Sequence, residues 1–409
     1  MRIGLYGGSF DPIHNGHLSI VRGALRSGAV DLVMVIPTAR NPFKRGKVLS
    51  AAPYRYYMVK ETIEAEIKDP RVLVSDAEFF TEGISYTVNT LHYLTEKNKI
   101  REILTNNGIE EEKAAEDHTY FWLCGSDILP MFDKWYKANE IISMVSLLVA
   151  SRPGDGIDID DEKIRLNKAF GHEVPLLKFD IDGVEASSSD IKRSGDDKEI
   201  PETAREFIKE HALYNFKDVW EAVDDETANK FLDFAIELYP ILRRKRLLHT
   251  LNTGLLSAHL ALIHGADVNK ALIAGELHDC AKELPEDEQR RLAQTRCGDL
   301  FTDFKLLHSP AGATMAKERF GIEDEEILNA ITYHTTGRGD MPTLDRIVYL
   351  ADKIEPSRTY ADLSEMRKVA EYDLTEAVKL CLGAVIDKFR KQDRSNHPLT
   401  EDLARDLGI

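Results

Sequence analysis

The feature that most constrains this chain is a glycine-bearing turn set between a short apolar run and an amphipathic one. Residues 3–6 read as a buried strand. Gly7-Gly8-Ser9-Phe10-Asp11-Pro12-Ile13-His14-Asn15-Gly16-His17 follows at once, and Leu18, Ile20, Val21, Ala24 and Leu25 then recur at helical spacing. A strand that turns directly into a helix leaves open backbone N–H groups and the positive end of the helix dipole facing whatever lies above the sheet. Phosphate suits that position. The glycines let the backbone approach a ligand closely. His14 and His17, three residues apart on the first helical turn, project to the same side. The stretch is therefore predicted to handle phosphate rather than to serve as an ordinary surface turn.

The 409 residues are too many for one core and predict two or three domains, which an apolar content of 43% can fill. Strand-like runs at 32–37, 72–75, 120–124, 146–150 and 176–179 alternate with helical stretches. This alternation predicts a parallel sheet with helices on both faces and ligands at the carboxyl ends of its strands. After Tyr214 the pattern changes: residues 218–228 are polar and acidic, and helical segments follow at 231–242, 247–264, 268–284, 309–319, 325–333, 344–354 and 374–390. A boundary near residue 220 is expected, with an all-helical domain after it.

A net charge of −17 argues against a general nucleic-acid surface. No apolar run approaches the roughly 20 residues of a membrane span. Met1-Arg2 enters the first strand directly, which leaves no room for a signal peptide. Cys124, Cys280, Cys297 and Cys381 are scattered without paired spacing and are expected to be reduced thiols of a cytoplasmic protein. The sequence says nothing of the oligomeric state.

The helical half carries His249, the adjacent pair His278-Asp279, His308, His334 and Asp352. Imidazoles and carboxylates together suit a transition-metal site, and ligands from separate helices can close round one or two ions.

Further segments extend the opening motif. Ser85-Tyr86-Thr87-Val88-Asn89-Thr90-Leu91, Gly125-Ser126-Asp127 with Trp135, Ser187-Ser188-Ser189-Asp190-Ile191, and the stretch 201–214 occur in order. With the HxGH pattern His14 to His17, they resemble the nicotinate-nucleotide adenylyltransferases over residues 1–216. The resemblance implies a doubly wound, Rossmann-like nucleotidyltransferase sheet. It also implies transfer of AMP from ATP to nicotinate mononucleotide, with release of pyrophosphate and with Mg²⁺ assisting. On that basis His14 and His17 are expected to act on the ATP phosphates as catalytic groups. Gly7, Gly8, Ser9, Phe10, Asp127, Ser188, Ser189 and Lys192 are expected to complete the ATP site. Lys44 and Arg55 would clamp phosphate, and Thr87 and Trp135 would hold the pyridine ring, Trp135 by stacking. Two departures stand out: Phe43 in Asn41-Pro42-Phe43-Lys44, where the family has PPHK, and Lys192, where it has arginine.

The metal-ligand candidates sit in Arg246-Leu247-Leu248-His249, His278-Asp279-Cys280-Ala281-Lys282, His308-Ser309-Pro310-Ala311-Gly312, His334-Thr335-Thr336-Gly337-Arg338 and Leu350-Ala351-Asp352-Lys353-Ile354-Glu355-Pro356. This series resembles HD-domain phosphohydrolases of the bacterial symmetrical diadenosine tetraphosphate hydrolase type, over residues 220–409. The resemblance implies an all-α HD domain, cleavage of diadenosine tetraphosphate to two ADP, and a centre of one or two ions. Iron is favoured there and manganese accepted, Asp279 bridges, and Lys282 and Arg338 stabilise phosphate charge. Two alternatives remain. One is an adenylyltransferase for nicotinamide mononucleotide or phosphopantetheine joined to a general nucleotidase. The other is a helical half that senses nucleotides without cleaving them.

Overall fold

The computed structural model describes residues 1–41, 49–151, 156–181, 187–359 and 362–409. They divide into two compact units, Met1–Ile208 and Lys209–Ile409.

All six strand-like runs form strands: β1 (Arg2–Gly8), β2 (Leu32–Pro37), β3 (Val72–Val74), β4 (Thr119–Gly125), β5 (Ser146–Ser151) and β6 (Leu176–Asp180). They make one parallel sheet in the order β3-β2-β1-β4-β5-β6. Helices cover both faces of a parallel sheet, so its inner strands must be apolar throughout; all six residues of β2 are buried. The chain winds outward from β1 through β2 to β3, then returns to the other side of β1 with β4. The carboxyl ends of β1 and β4 therefore flank the topological switch point, where a doubly wound sheet opens a crevice. Helix Asn15–Arg26 begins beside it.

The second unit is helical among its described residues. Aspartate side chains cap the starts of helices Asp225–Leu238, Val268–Leu277, Phe304–Phe320, Glu325–Tyr333 and Leu374–Lys391. Four α-helices of the second unit lie beyond those expected: Glu286–Cys297, Lys217–Ala222, Ser364–Ala370 and Pro398–Leu407. The first buries only Gln289, Leu292 and Ala293 from a highly charged segment, too thin an apolar stripe to read from sequence. The helix expected over 268–284 stops at Leu277. From there i to i−3 bonds carry the backbone, Cys280 N to Leu277 O, Lys282 N to Asp279 O and Leu284 N to Ala281 O. No described helix is long and apolar enough to cross a membrane.

Candidate active sites

At the switch point the end of β1 has to be bare backbone. A Cβ on Gly7 would stand 2.5 Å from Trp122 Cη2, and one on Gly8 would stand 2.9 Å from Phe10 Cζ. Both rings are buried and cannot swing aside. Above this floor lies a cavity of about 330 Å³, lined by Gly7, Gly8, Ser9, Asn41, Glu78, Ser85-Tyr86-Thr87, Trp122, Trp135 and Tyr136. Its aromatic wall is held by ring-to-ring packing, edge to face only between Trp122 and Trp135. Trp135 meets Trp122 at 6.5 Å and 83° and lies 5.2 Å from Phe132, while Tyr86 and Tyr136 sit 4.6 Å apart. Trp135 is half-buried and contributes to the lining. Thr87 opens helix Thr87–Thr95 at the same wall.

The imidazoles of His14 and His17 stack at 3.7 Å, and the edge of Phe10 supports His17 at 4.9 Å. His17 Nδ1 accepts the backbone N–H of His14 at 3.2 Å. A neutral His17 therefore carries its proton on Nε2, as a donor. Asp127 is exposed on the turn Ser126–Ile128 that leaves β4. Ser188 Oγ donates to Pro12 O at 2.9 Å, and Lys192 Nζ pairs with the buried Asp11 carboxylate at 2.8 Å. The last motif is thus tied to the first, and Lys192 acts through Asp11. Ser189 is exposed beside Ser188.

Two expectations for this site are corrected. Phe10 turns its ring inward and is 2% exposed, so its side chain supports His17 and packs under Gly8 instead of meeting ATP. Arg55 is no phosphate clamp: it is 1% exposed, and its guanidinium donates to the carbonyls of Ser50, Ser9 and Ala39. Beside it the buried Glu78 accepts Ala39 N–H at 2.9 Å and Thr90 Oγ1–H at 2.8 Å. Burial pushes the Glu78 carboxyl up, against those hydrogen bonds. Lys44 and Phe43 lie outside the described residues. Sequence reasoning missed Glu78, Asn41 and Tyr136; only the position of Tyr136 next to Trp135 hinted at a role.

In the second unit the six metal-ligand candidates converge. His249 comes from helix Arg244–His264, His278 and Asp279 from the turn after Leu277, and His308 from helix Phe304–Phe320. His334 follows helix Glu325–Tyr333, and Asp352 lies on helix Thr343–Ile354. His249, His278 and Asp352 offer donor atoms within 4.8 Å of one another, as do His278, Asp279 and His334. His308 Nε2 joins at 3.3 Å from Asp279 Oδ1, and His334 Nε2 stands 3.5 Å from that oxygen.

The surrounding hydrogen bonds decide which ring nitrogens face inward. His278 Nδ1 donates to Gly275 O at 2.7 Å, His334 Nδ1 to Ile331 O at 2.8 Å, and His249 Nδ1 to Glu355 Oε1 at 3.1 Å. His278 and His334 then present an Nε2 lone pair to the centre; burial would lower His249, but Asp352 and Glu355, one at each ring nitrogen, hold it above its ordinary value. The Nε2 atoms of His249 and His278 are only 3.2 Å apart, and the buried Asp279 Oδ1 accepts no hydrogen bond among the described residues. Lone pairs and carboxylates focused on so small a space call for a cation, and the donor set fits a divalent metal ion.

Electrostatics agree. Burial alone would raise the Asp279 carboxyl, but His278, His334, His308 and Arg246 hold it well below the usual range. Burial pushes His278 down to about 4 and His308 well below its ordinary value. Both rings are neutral at neutral pH.

Cations ring the centre. Arg246 pairs with Asp279, Arg358 Nη2 reaches Asp352 Oδ1 at 2.9 Å, Lys353 Nζ reaches Asp352 Oδ2 at 3.1 Å, and Lys282 Nζ lies 2.9 Å from the His308 ring. A cavity of about 340 Å³ opens beside His249, lined by Arg243, Lys245, Arg246 and Arg358 among others. Lys282 stands among these cations. Arg338 does not: its guanidinium is held by the buried Asp345 at 2.8 Å and covers the ring of Tyr333 at 4.6 Å. Arg246 and Arg358 take the place expected for it. Arg246 stood one turn before His249 in the sequence, so a helical reading could have found it; Arg358, in the segment after a helix end, gave no signal.

Comparison with known proteins follows the same division. Residues 5–194 match the cytidylyltransferase-like family and residues 246–357 the HD-domain family. A Mycoplasma genitalium protein named as a probable nicotinate-nucleotide adenylyltransferase/Ap4A hydrolase is 27% identical, over 94% of this chain and 97% of its own length. A probable nicotinate-nucleotide adenylyltransferase of Clostridium novyi is 34% identical over 52% of this chain and 98% of its own. A symmetrical bis(5'-nucleosyl)-tetraphosphatase of Halalkalibacterium halodurans is 38% identical over 39% of this chain and 88% of its own.

Proposed function

The chain belongs to the nicotinate-nucleotide adenylyltransferase family through its first half and to the HD-domain symmetrical bis(5'-nucleosyl)-tetraphosphatases through its second. From that premise we propose that it joins AMP from ATP to nicotinate mononucleotide and cleaves diadenosine tetraphosphate to two ADP. In keeping with the sequence, residues 1–216 and 220–409 are assigned to the two activities, and the protein to the cytoplasm, where its four free thiols would stay reduced.

The observation that carries the first activity is an aromatic cavity beside a histidine donor at the switch point. The pyridine of nicotinate mononucleotide enters against Trp135, with Thr87 at its edge. Its phosphate oxygen attacks the α-phosphorus of ATP; the bond to the β-phosphate bridge oxygen breaks, and pyrophosphate leaves with that electron pair. The acceptor phosphate is already anionic, so no base is required. Alignment and charge stabilisation carry the catalysis. His17 donates Nε2–H to the reacting phosphates, His14 holds it by stacking, and Gly7, Gly8 and Ser9 give the backbone floor. Mg²⁺, when bound, neutralises phosphate charge.

For the second activity the carrying observation is the inward convergence of histidine Nε2 atoms and the Asp279 and Asp352 carboxylates. We assign iron first and manganese second to this donor set. When bound, the metal polarises the phosphoryl oxygens and makes a water acidic enough to attack near neutral pH. Asp279, facing His308 and His334 with one oxygen and Arg246 with the other, would hold the metal together with His249, His278, His308, His334 and Asp352. Lys282, Arg246 and Arg358 face the polyphosphate, and Arg243 and Lys245 extend that positive track.

The full chain tests both readings. With ATP and Mg²⁺ it should use nicotinate mononucleotide in preference to nicotinamide mononucleotide and phosphopantetheine. Loaded with iron(II) or manganese(II), it should turn diadenosine tetraphosphate into ADP alone. Preference for another acceptor overturns the first reading. ATP with AMP as products overturns symmetrical cleavage, and no cleavage at all leaves the helical half as a nucleotide sensor.

A further inference from the structure

We propose that His211, which stands in the sequence at the tail of the adenylyltransferase-like segment, is a positioning residue of the metal centre in the helical unit. The proposal rests on the metal-centre reading above. The stretch 201–214 follows the ending pattern of the first family, so the sequence alone assigns His211 to the transferase. In the fold, the second compact unit begins at Lys209. Its first residues pack within that unit: Phe216 meets the ring of His259 at 6.0 Å, Trp220 meets Phe231 at 5.7 Å, and Asp224 N–H donates to Asn269 Oδ1 at 3.0 Å.

From His211 a buried chain of hydrogen bonds runs to the centre. His211 is 3% exposed, and its Nδ1 lies 3.0 Å from Asn252 Nδ2. The same Asn252 nitrogen lies 2.9 Å from Glu355 Oε2, and Glu355 Oε1 accepts from His249 Nδ1 at 3.1 Å. Asn252 is fully buried and Glu355 is 1% exposed. An amide nitrogen has two hydrogens and no lone pair to offer, so both contacts are donations. His211 Nδ1 must therefore be the unprotonated nitrogen. Burial, which holds the His211 imidazole below its ordinary pKa, agrees with a neutral ring.

The consequence runs from one end of the chain to the other. With its two hydrogens taken by His211 and Glu355, Asn252 cannot turn its oxygen toward the carboxylate. Glu355 stays in place as the acceptor of His249 Nδ1–H and fixes the ring with Nε2 turned toward the centre, 3.0 Å from Asp352 Oδ1. Without an acceptor at position 211, one buried amide hydrogen loses the ring nitrogen to which it donates, which weakens the hold of Asn252 on Glu355.

The test uses the full chain loaded with manganese(II). Metal remaining on the protein is measured at intervals after addition of excess EDTA, and adenylyl transfer by the same samples serves as the internal control. His211→Leu keeps the bulk and removes the acceptor. His211→Asn restores an acceptor, since Oδ1 of asparagine occupies the place of histidine Nδ1. Loss of a partner behind a metal-ligating histidine commonly weakens metal binding by about 10- to 100-fold. His211→Leu should therefore release manganese on the order of tenfold faster than the parent, and His211→Asn within about threefold of it, with adenylyl transfer unchanged in both. If His211→Leu does not fold, His211→Gln, whose amide oxygen lies too far out to replace Nδ1, takes its place in the comparison. Equal release from the parent, the acceptor-less variant and His211→Asn overturns the proposal. A parent that holds no manganese overturns the metal-centre reading instead, so the two failures are separable.

Discussion

Gly275→Ala should disable the helical unit's metal centre without touching a ligand. Gly275 lies where helix Val268–Leu277 crosses helix Arg244–His264. A Cβ there would meet Thr253 O at 2.7 Å and Gly254 Cα at 2.8 Å, both backbone atoms, and Ser257 Oγ at 2.6 Å. A rotamer change relieves only the serine contact. To reach the ~3.5 Å of ordinary non-bonded contact, the helices must part by about 0.7 Å. His249 rides on one helix, and His278 follows the other, with its Nδ1 bonded to Gly275 O. Metal sites tolerate distance errors of only about 0.2 Å, so the His249 and His278 nitrogens can no longer share an ion. Overpacking of this kind costs about 1–3 kcal/mol. At about 2–4 °C per kcal/mol for a domain of this size, that predicts a fall of about 2–12 °C in the unfolding midpoint of the helical unit. Calorimetry of the full chain with and without manganese, together with metal analysis, reads both effects. The variant should bind metal at least about tenfold more weakly and lose hydrolysis in step, with adenylyl transfer unchanged. Metal retention and an unfolding midpoint equal to the parent's would refute the close-crossing argument.

Three further outcomes are expected. His17→Ala should slow adenylyl transfer about a hundredfold, from loss of a preorganised donor to the reacting phosphates at ~3 kcal/mol, while diadenosine tetraphosphate cleavage persists; unchanged transfer by the folded variant removes His17 from the mechanism. Trp135→Ala should raise KM for nicotinate mononucleotide more than KM for ATP, by the roughly 5- to 150-fold that corresponds to about 1–3 kcal/mol of stacking; equal shifts would mean that Trp135 only packs against Trp122 and Phe132. Arg338→Ala should act on stability rather than on catalysis, because it leaves the 2% exposed Asp345 without its ion pair, a change typically costing about 3–5 kcal/mol. Burial already raises the Asp345 carboxyl against the pull of Arg338. A raised acid favours the protonated folded state, so the deficit should grow as pH rises through the ionisation of Asp345 and shrink below it. Unfolding midpoints at pH 5 and pH 8 measure this, and a deficit that shrinks with rising pH contradicts it.

Much of this protein was legible because its signals are local. A strand buried on both faces must be continuously apolar, so 32–37 and 146–150 declared themselves. A turn that must present bare backbone to a phosphate needs glycine next to a helix start, so Gly7 to His17 marked the switch point before the sheet order was known. The six metal-ligand candidates were legible because imidazole and carboxylate at these spacings have few other uses in a helical core. What the sequence could not determine was the job of each cation, because that depends on which elements meet in space. Arg55 looks the same on paper whether it clamps a phosphate or, as here, is buried against the carbonyls of Ser9 and Ala39. Arg338 sits four residues after a metal-ligand candidate, yet Asp345 takes its guanidinium, while Arg246 and Arg358 reach the carboxylates of Asp279 and Asp352 from other elements. His211 belongs by sequence to one half and by hydrogen bonding to the other. Local propensity and motif chemistry act over a few residues and survive in the linear order. The partner of a buried charge or ring is chosen by packing between segments, some of them more than a hundred residues apart, as Glu355 is from His249, and only the folded chain brings such segments together.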